Sequence, residues 1–355
     1  MPYIILLVLA IVFTACTTKY DNTNTVPREL IDYPQSFEPY SDSYTSSKTY
    51  DTLAFEKQYF KPWHYTQAPY TLKEILWPYH SYTKGVIYGA TLKPISKSWF
   101  NHIKVESNFK DFDTLHSFGL TRFFGHLRNF PTDKPLFRDP HQAGEGFPFD
   151  YNQNSGIHAN EPLYLSHYSL KGDWIYVFTS YASGWLHVRN IQAIDEKQRK
   201  LWENSQHIYI TVDNVPLYNK QLHYLNDARI GMMLPLISED TTHYHTILAN
   251  NFTSTSLLKT YASLNPMVFN KRNLTTIGDE LIDQDYGWGG VFEDRDCSSM
   301  LRDFFIPFGI WLPRNSYQQS KIGKVISLEG LSDNEKIQKI MTEGVAFETL
   351  LYKRG

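Results

Sequence analysis

Cysteine is nearly missing from this chain. Two occur among 355 residues, Cys16 and Cys297, too few for a disulfide framework. An excess of positive charge is missing as well: 34 Lys and Arg against 37 Asp and Glu leave a net charge of −3, so a nucleic-acid backbone is not an expected partner. Long apolar runs are confined to the N-terminus, where Tyr3 to Phe13 falls short of the about 20 residues that a membrane span needs. What is abundant is aromatic. Tyr, Phe and Trp make up 15% of the residues, which excludes wholesale disorder and suits short strands with large side chains. At roughly 150 residues per domain, the length allows two or three domains, each with a core of its own.

The apolar run at the start is the size of a signal-peptide core. Phe13-Thr14-Ala15-Cys16 resembles a bacterial lipobox, although no Lys or Arg precedes the run and Phe13 stands where Leu is usual. The resemblance implies that residues 1–16 form a lipoprotein signal peptide and that Cys16 carries lipid. The chain would then sit in the cell envelope, anchored on the periplasmic face of a membrane. The plainer alternative is an ordinary secretory signal. Either way the chain is expected to be exported, and Cys297 is left without a disulfide partner if Cys16 is lipidated.

Residues 17–50, rich in Thr, Ser, Asp and Asn, read as a polar tether. Residues 51–125 hold helical stretches such as Ser98 to Phe109 and no motif, so they read as an accessory module. From 126 the texture turns to short apolar runs broken by Gly, Pro, Asn and Asp, the pattern of small antiparallel barrels. Pro135-Leu136-Phe137, Pro162-Leu163-Tyr164 and Pro216-Leu217-Tyr218 form a weak repeat, each opening an apolar run. Gly144-Glu145-Gly146 predicts a turn, with Phe147, Phe149 and Tyr151 at strand spacing behind it. Asp173 to Val177 and Ser183 to Val188 predict a hairpin, and this stretch resembles bacterial SH3-like domains. His207 to Val212 and Arg229 to Met233 belong to a second copy. The expected barrels span 126–200 and 201–260.

Chemistry points to Tyr286-Gly287-Trp288-Gly289-Gly290 followed by Arg295-Asp296-Cys297-Ser298-Ser299. Met300, Leu301, Phe304, Phe305 and Phe308 recur at helical spacing, which places Cys297 at a helix N-terminus, with Pro307 limiting the helix. The positive end of a helix dipole favours a thiolate there. The glycines allow close backbone approach, as a substrate cleft requires. A buried, inert Cys is the plain alternative.

Together with Gly309-Ile310-Trp311-Leu312-Pro313-Arg314-Asn315-Ser316, this segment resembles the start of the NlpC-type cell-wall cysteine peptidases, in a branch with an accessory region and two SH3-like modules. The resemblance implies an α+β multidomain fold: two small SH3-like barrels, then a papain-like α+β peptidase domain over 261–355 that is incomplete. It implies a peptidoglycan hydrolase cutting γ-D-glutamyl bonds to diamino acids in stem peptides. Cys297 would be the nucleophile, with Asp296, Ser298 and Ser316 holding the substrate and Tyr286 lining the site. An acid and an aromatic group from the first barrel, for which Glu161 and Tyr181 are conceivable, would join them. Asp296 also reads as a plain helix N-cap.

One departure stands out. The family's base is a His on a strand after the nucleophile helix, and no His follows Cys297. Ser332-Asp333-Asn334-Glu335 opens a helix that Gly344 closes, Val345 to Tyr352 reads as a strand, and the sequence then looks cut before its catalytic His. The activity of this chain is therefore in doubt, and a non-catalytic wall-binding lipoprotein is the competing expectation. His243-Tyr244-His245 lacks the supporting ligands of a zinc site, and Gly287 to Gly290 is not a phosphate loop, so neither a metal nor a cofactor is implied.

Overall fold

Residues 36–42 and 44–353 are described in a computed structural model. The signal peptide, Cys16 and the first part of the tether lie outside them. Five helices come first: α1 (Glu38–Ser41), α2 (Thr52–Tyr59), α3 (Leu72–Ile75), α4 (Trp77–Tyr82) and α5 (Lys97–Glu106). Caps set their starts, since Asp51 accepts from Leu53 and Ala54 N–H, Thr71 and Glu74 form a capping box, and Ser96 accepts from Trp99 N–H. The helix expected over Ser98 to Phe109 is α5, extended by a 3-10 turn at Phe109–Asp111.

Seven strands follow: β1 (Ser117–Thr121), β2 (Gly125–Arg128), β3 (Gln153–Ile157), β4 (Pro162–Tyr168), β5 (Trp174–Phe178), β6 (Ser183–His187) and β7 (Ile191–Ile194). They pair antiparallel in the order β3-β2-β6-β5-β4-β1-β7. The expected hairpin is β5–β6, with Tyr176 opposite Trp185, and Trp185 is fully buried. This barrel begins at Ser117, earlier than the sequence texture indicated. Phe147, Phe149 and Tyr151 do not form a strand. They belong to a long excursion between β2 and β3, in which Phe149 and Tyr151 turn their rings to Trp288.

Helix α6 (Glu196–Asn204), capped by Asp195, leads to the second barrel. Its strands are β8 (His207–Ile210), β9 (Val215–Tyr218), β10 (Tyr224–Ala228), β11 (Met233–Glu239), β12 (His243–Leu248), β13 (Thr253–Leu258) and β14 (Ala262–Leu264). The sheet order is β13-β12-β11-β8-β14, with β9–β10 as a separate hairpin. Arg229 to Met232 make a turn into β11, with Gly231 at φ +103°.

The remaining helices are α7 (Lys271–Glu280), α8 (Cys297–Phe305), α9 (Ser316–Gln319) and α10 (Asp333–Glu343). As expected, Ser332 and Glu335 cap α10, and the chain leaves α8 through a 3-10 turn at Pro307. Val345 to Tyr352 is not a strand. Phe347, at φ +62°, and Leu350 instead turn inward against the cluster of Phe269, Phe304 and Phe308.

Two aromatic junctions bind these parts into one body. Phe55, Tyr59, Phe60 and Trp63 of the accessory module share a core with Leu120 of the first barrel, Tyr209 and Met233 of the second, and Ile306 after α8. Burying each large ring contributes about 2–3 kcal/mol. The tether expectation also needs correcting at its end. Phe37 packs on Phe304 and Phe347, Tyr44 is buried, and the Lys48 backbone bridges Phe269, because these apolar side chains complete the core around α8. Among the described residues no helix is long and apolar enough to cross a membrane.

Candidate active site

Cys297 is the first residue of α8, and its thiol is free and exposed. Asp296 is the N-cap and forms a reciprocal capping box with Ser299. Its buried carboxylate also accepts two bonds from the Arg314 guanidinium, at 3.0 and 2.6 Å, and one from the Ser298 hydroxyl at 3.1 Å. Burial alone would raise this carboxyl, but the charge and hydrogen bonds of Arg314 outweigh it and hold the group below its ordinary range. Arg314 is itself pinned, donating through Nε to Ser155 of β3 at 2.7 Å and through Nη1 to Ser298 at 2.9 Å. The bidentate pair therefore fixes the helix start to the first barrel.

Tyr286 stands beside the thiol. Its phenol is shifted upward by burial and by the negative charges of Asp296 and Cys297, and its backbone forms a parallel bridge with Arg295. The glycines between them serve a different neighbour from the one the sequence suggested. Gly289 and Gly290, at φ +62° and +88°, lie on β3, where a Cβ on Gly290 would come within 2.6 Å of Gly156 Cα. Gln153 donates to Gly289 O at 2.9 Å. The close approach is thus barrel to loop, and the loop is held rigidly on its way to Cys297.

Beneath α8 runs a buried ionic network. Asp303 accepts from Arg295 Nε at 2.7 Å and pairs with His158 Nε2 at 2.8 Å, while Arg295 also donates to both oxygens of Asp213, at 2.8 and 2.9 Å. Burial raises Asp303, but His158 and Arg295 pull it well below the usual carboxylate range. Close by, Arg302 lies 3.4 Å over the Tyr181 ring. Glu161 is buried with Oε1 unpartnered, and burial pushes its carboxyl up to about 8 against the pull of Arg302.

The structure brings Tyr286, Asp296, Cys297 and Ser298 together. Ser316 opens the short exposed helix α9, and its side chain is not part of the Asp296–Arg314 cluster. Asp296 and Ser298 spend their polar atoms on Arg314 and the helix start, so the N-cap reading describes Asp296 in this structure. Glu161 and Tyr181 reach the far half of α8, at Arg302. Arg314 was missed although its motif was in view: a carboxylate at a helix start needed a cation, and the second motif held one. His243 and His245 both lie against Asp240, and no metal-holding group of three side chains occurs among the described residues.

Two SH3-like barrels set before a capped helix that presents an exposed thiol define a multidomain protein of the cysteine-peptidase kind. Family profiles agree along the chain. Residues 5–112 match the N-terminal NLPC_P60 stabilising domain, 135–187 an SH3 domain of SH3b1 type, 195–241 an SH3 domain of SH3b2 type, and 283–334 the NlpC/P60 family. The chain thus carries an NlpC/P60 match behind two SH3b domain matches and an N-terminal stabilising-domain match. No curated protein matches it. Among solved structures it is similar to a novel NlpC/P60 endopeptidase from Photobacterium damselae subsp. piscicida, at 25% identity and TM-score 0.70, covering 82% of this chain and 69% of that one. An NlpC/P60 family protein from Bacillus cereus aligns at 20% identity and TM-score 0.41, over 51% of this chain and 63% of that one.

Proposed function

We propose that this protein acts on peptidoglycan stem peptides, with Cys297 as the nucleophile toward the γ-D-glutamyl bond to a diamino acid. The observation that carries this reading is the exposed thiol at the first position of a capped helix within the NlpC/P60 segment. There the helix-start N–H groups other than that of Ser299, which donates to the Asp296 cap, can support both the thiolate and the oxyanion that follows. Tyr286 lines one side, and the Arg314–Asp296 pair keeps the helix start in place. The resemblance-based roles of Ser298 and Ser316 as substrate contacts belong to this proposal, as does attachment to the cell envelope through lipid on Cys16.

No His follows Cys297 within residues 1–355, and the buried His158, His167 and His207 are engaged with Asp303, with Ser166 and Ser107 O, and with Glu56. General-base catalysis contributes about 10²–10⁴-fold, so the rate of cleavage reports whether a base serves Cys297. The test is to incubate residues 1–355 with L-Ala-γ-D-Glu-diaminopimelate and follow the released dipeptide by chromatography, with and without added imidazole. Binding with little cleavage, increased by imidazole and absent in Cys297→Ala, is expected. Fast turnover without imidazole would place a base upstream, and absence of binding would overturn the stem-peptide reading.

A further inference from the structure

Between α4 and α5 the chain makes a short hairpin over residues 87–95. Ile95 N–H donates to Ile87 O at 2.7 Å and Gly89 N–H to Lys93 O at 3.0 Å, while Tyr88 bridges both Pro94 and Phe137 of the β2–β3 excursion. Ile87 is buried in the cluster of Tyr79, Tyr82, Phe100 and Phe130, which anchors the inner face. Alternation along the strand turns the preceding Val86 outward, and it is 60% exposed. At the tip, Leu92 N–H donates to Gly89 O at 2.9 Å and the residue takes φ +57°, a left-handed position that Gly or Asn fills at least cost. The Leu92 side chain is 52% exposed. Just beyond, Lys97 is the first residue of α5, where the helix dipole disfavours a cation. Both choices work against folding stability, which points to a demand from outside the fold.

Charge identifies the partner. The whole chain carries −3, yet between Glu74 and Glu106 there is no Asp or Glu, while Lys84, Lys93, Lys97 and Lys104 all fall there. Lys84, Lys93 and Lys97 flank the hairpin and its tip, all three are exposed, and among the described residues none is in an ion pair. Trp77, which opens α4, is exposed as well. Aliphatic side chains at a tip, ammonium groups around them and an indole on the neighbouring helix are the complement of an anionic lipid surface, which offers phosphates above an apolar boundary. A soluble polyanion would match the lysines but give Val86 and Leu92 nothing to bury against. The β9–β10 hairpin supplies an internal comparison. It too exposes a left-handed leucine, Leu222 at φ +62°, but Lys220 is the sole lysine in its turn and β10 carries Asp227. The two tips share an apolar residue and differ in positive charge.

We propose that the hairpin over residues 87–95, with Lys84 and Lys97 at its base, is a peripheral contact for anionic lipid headgroups that lays the accessory module on a membrane surface. The proposal is independent of the peptidase reading. It also holds with or without lipid on Cys16, because every group it uses lies between Trp77 and Lys97.

The test uses the full chain carrying Cys16→Ser and Cys297→Ala, with a single new thiol at the hairpin tip, Thr91→Cys, labelled with a nitrobenzoxadiazole fluorophore. A second version carries the label at Gln221→Cys, in the β9–β10 turn. Both are mixed with vesicles of phosphatidylcholine, with or without phosphatidylglycerol, whose acyl chains are brominated so that only a probe reaching the bilayer is quenched. The apolar run from Tyr3 to Phe13 acts equally in both versions, so the difference between the two probes isolates the hairpin. Quenching is expected at position 91 in the anionic vesicles, with little at position 221 and little in phosphatidylcholine alone. A lysine near an anionic surface contributes about fivefold to partitioning, so Lys84→Gln, Lys93→Gln and Lys97→Gln together should raise the lipid concentration for half-quenching on the order of 10²-fold. Leu92→Gly should raise the melting temperature while weakening the quenching, a split that a purely structural role for Leu92 does not produce. Absence of quenching at position 91 in anionic vesicles, quenching that survives the three lysine substitutions, or equal quenching at positions 91 and 221 would each overturn the proposal and leave the peptidase reading standing.

Discussion

The two barrels share an architecture but meet the thiol-bearing segment with different chemistry. The first uses mostly backbone, hydroxyls and an aromatic ring, and adds His158 to the ionic network at Asp303: Gly156 lies against Gly290, Ser155 accepts from Arg314, Ser180 accepts from the Trp311 indole, and Tyr181 underlies Arg302. The second presents charge, with Asp213 on Arg295 and Arg229 on Glu293, and a turn at Gly231 pressed against Asp303. The first barrel's contacts chiefly fix where the start of α8 sits, whereas those of the second chiefly decide whether its buried charges are compensated. Position and charge balance are therefore separable by mutation.

Breaking the joint at Arg314 should cost most. Arg314→Ala leaves the Asp296 carboxylate buried without its cation, a loss of about 3–5 kcal/mol in a urea titration. Arg314→Lys keeps the charge but cannot reproduce the bidentate geometry or the bond to Ser155, so it should recover only part of that loss. A cost below about 1 kcal/mol for Arg314→Ala would mean that Asp296 is held by its helix cap alone.

Glu161 gives the comparison a pH signature. Its folded pKa of about 8 lies above the ordinary 4.5, so the folded state binds a proton that the unfolded state releases. The contribution is complete below pH 4.5 and is lost as pH rises through about 8. Glu161→Gln should therefore gain on the parent chain between these limits, by up to about 1.4 kcal/mol per pH unit, and by a few kcal/mol in all. Equal melting profiles from pH 4 to 9 would show that Arg302 keeps Glu161 ionised.

Each barrel also meets the thiol-bearing segment at a glycine contact, which compares their packing directly. A Cβ on Gly290 would lie 2.6 Å from Gly156 backbone, and one on Gly231 would lie 2.5 Å from the Asp303 carboxyl carbon, both at positive φ. Gly290→Ala and Gly231→Ala should each destabilise by about 2–3 kcal/mol through clash and backbone strain. Only Gly231→Ala disturbs the ionic network, so its cost should depend on salt and pH more strongly.

Local signals in the sequence carried the parts of this architecture that are built locally. The β5–β6 hairpin, the α8 start at Cys297 and the α10 capping box each rest on neighbours within a few residues, so spacing and capping chemistry revealed them. Long-range partnerships were hidden. Phe147 and Phe149 show strand periodicity but follow the excursion between β2 and β3, and Val345 to Tyr352 has strand composition but folds inward because Phe347 and Leu350 complete the core around Phe304. At the site, the place of Cys297 at the helix start was legible, whereas the Asp296–Arg314–Ser155 joint was not, because it spans 159 residues between Ser155 and Arg314.

The smallest effect should come from the first barrel's neutral contact at Ser180. Trp311 Nε1 lies 3.2 Å from its hydroxyl, and the indole is only partly buried, so water can replace the lost acceptor. Ser180→Ala is expected to cost about 0.5–1 kcal/mol, within the ordinary range for a neutral hydrogen bond. Neither partner is ionised, so the cost should not change between low salt and 1 M salt. Asp213→Asn, its counterpart on the second barrel, removes the charge facing Arg295 and should show a larger and pH-dependent loss. A salt-sensitive penalty at Ser180 would mean that this contact is coupled to Arg302 and Glu161 beneath it, and that position and charge balance are not independent in this protein.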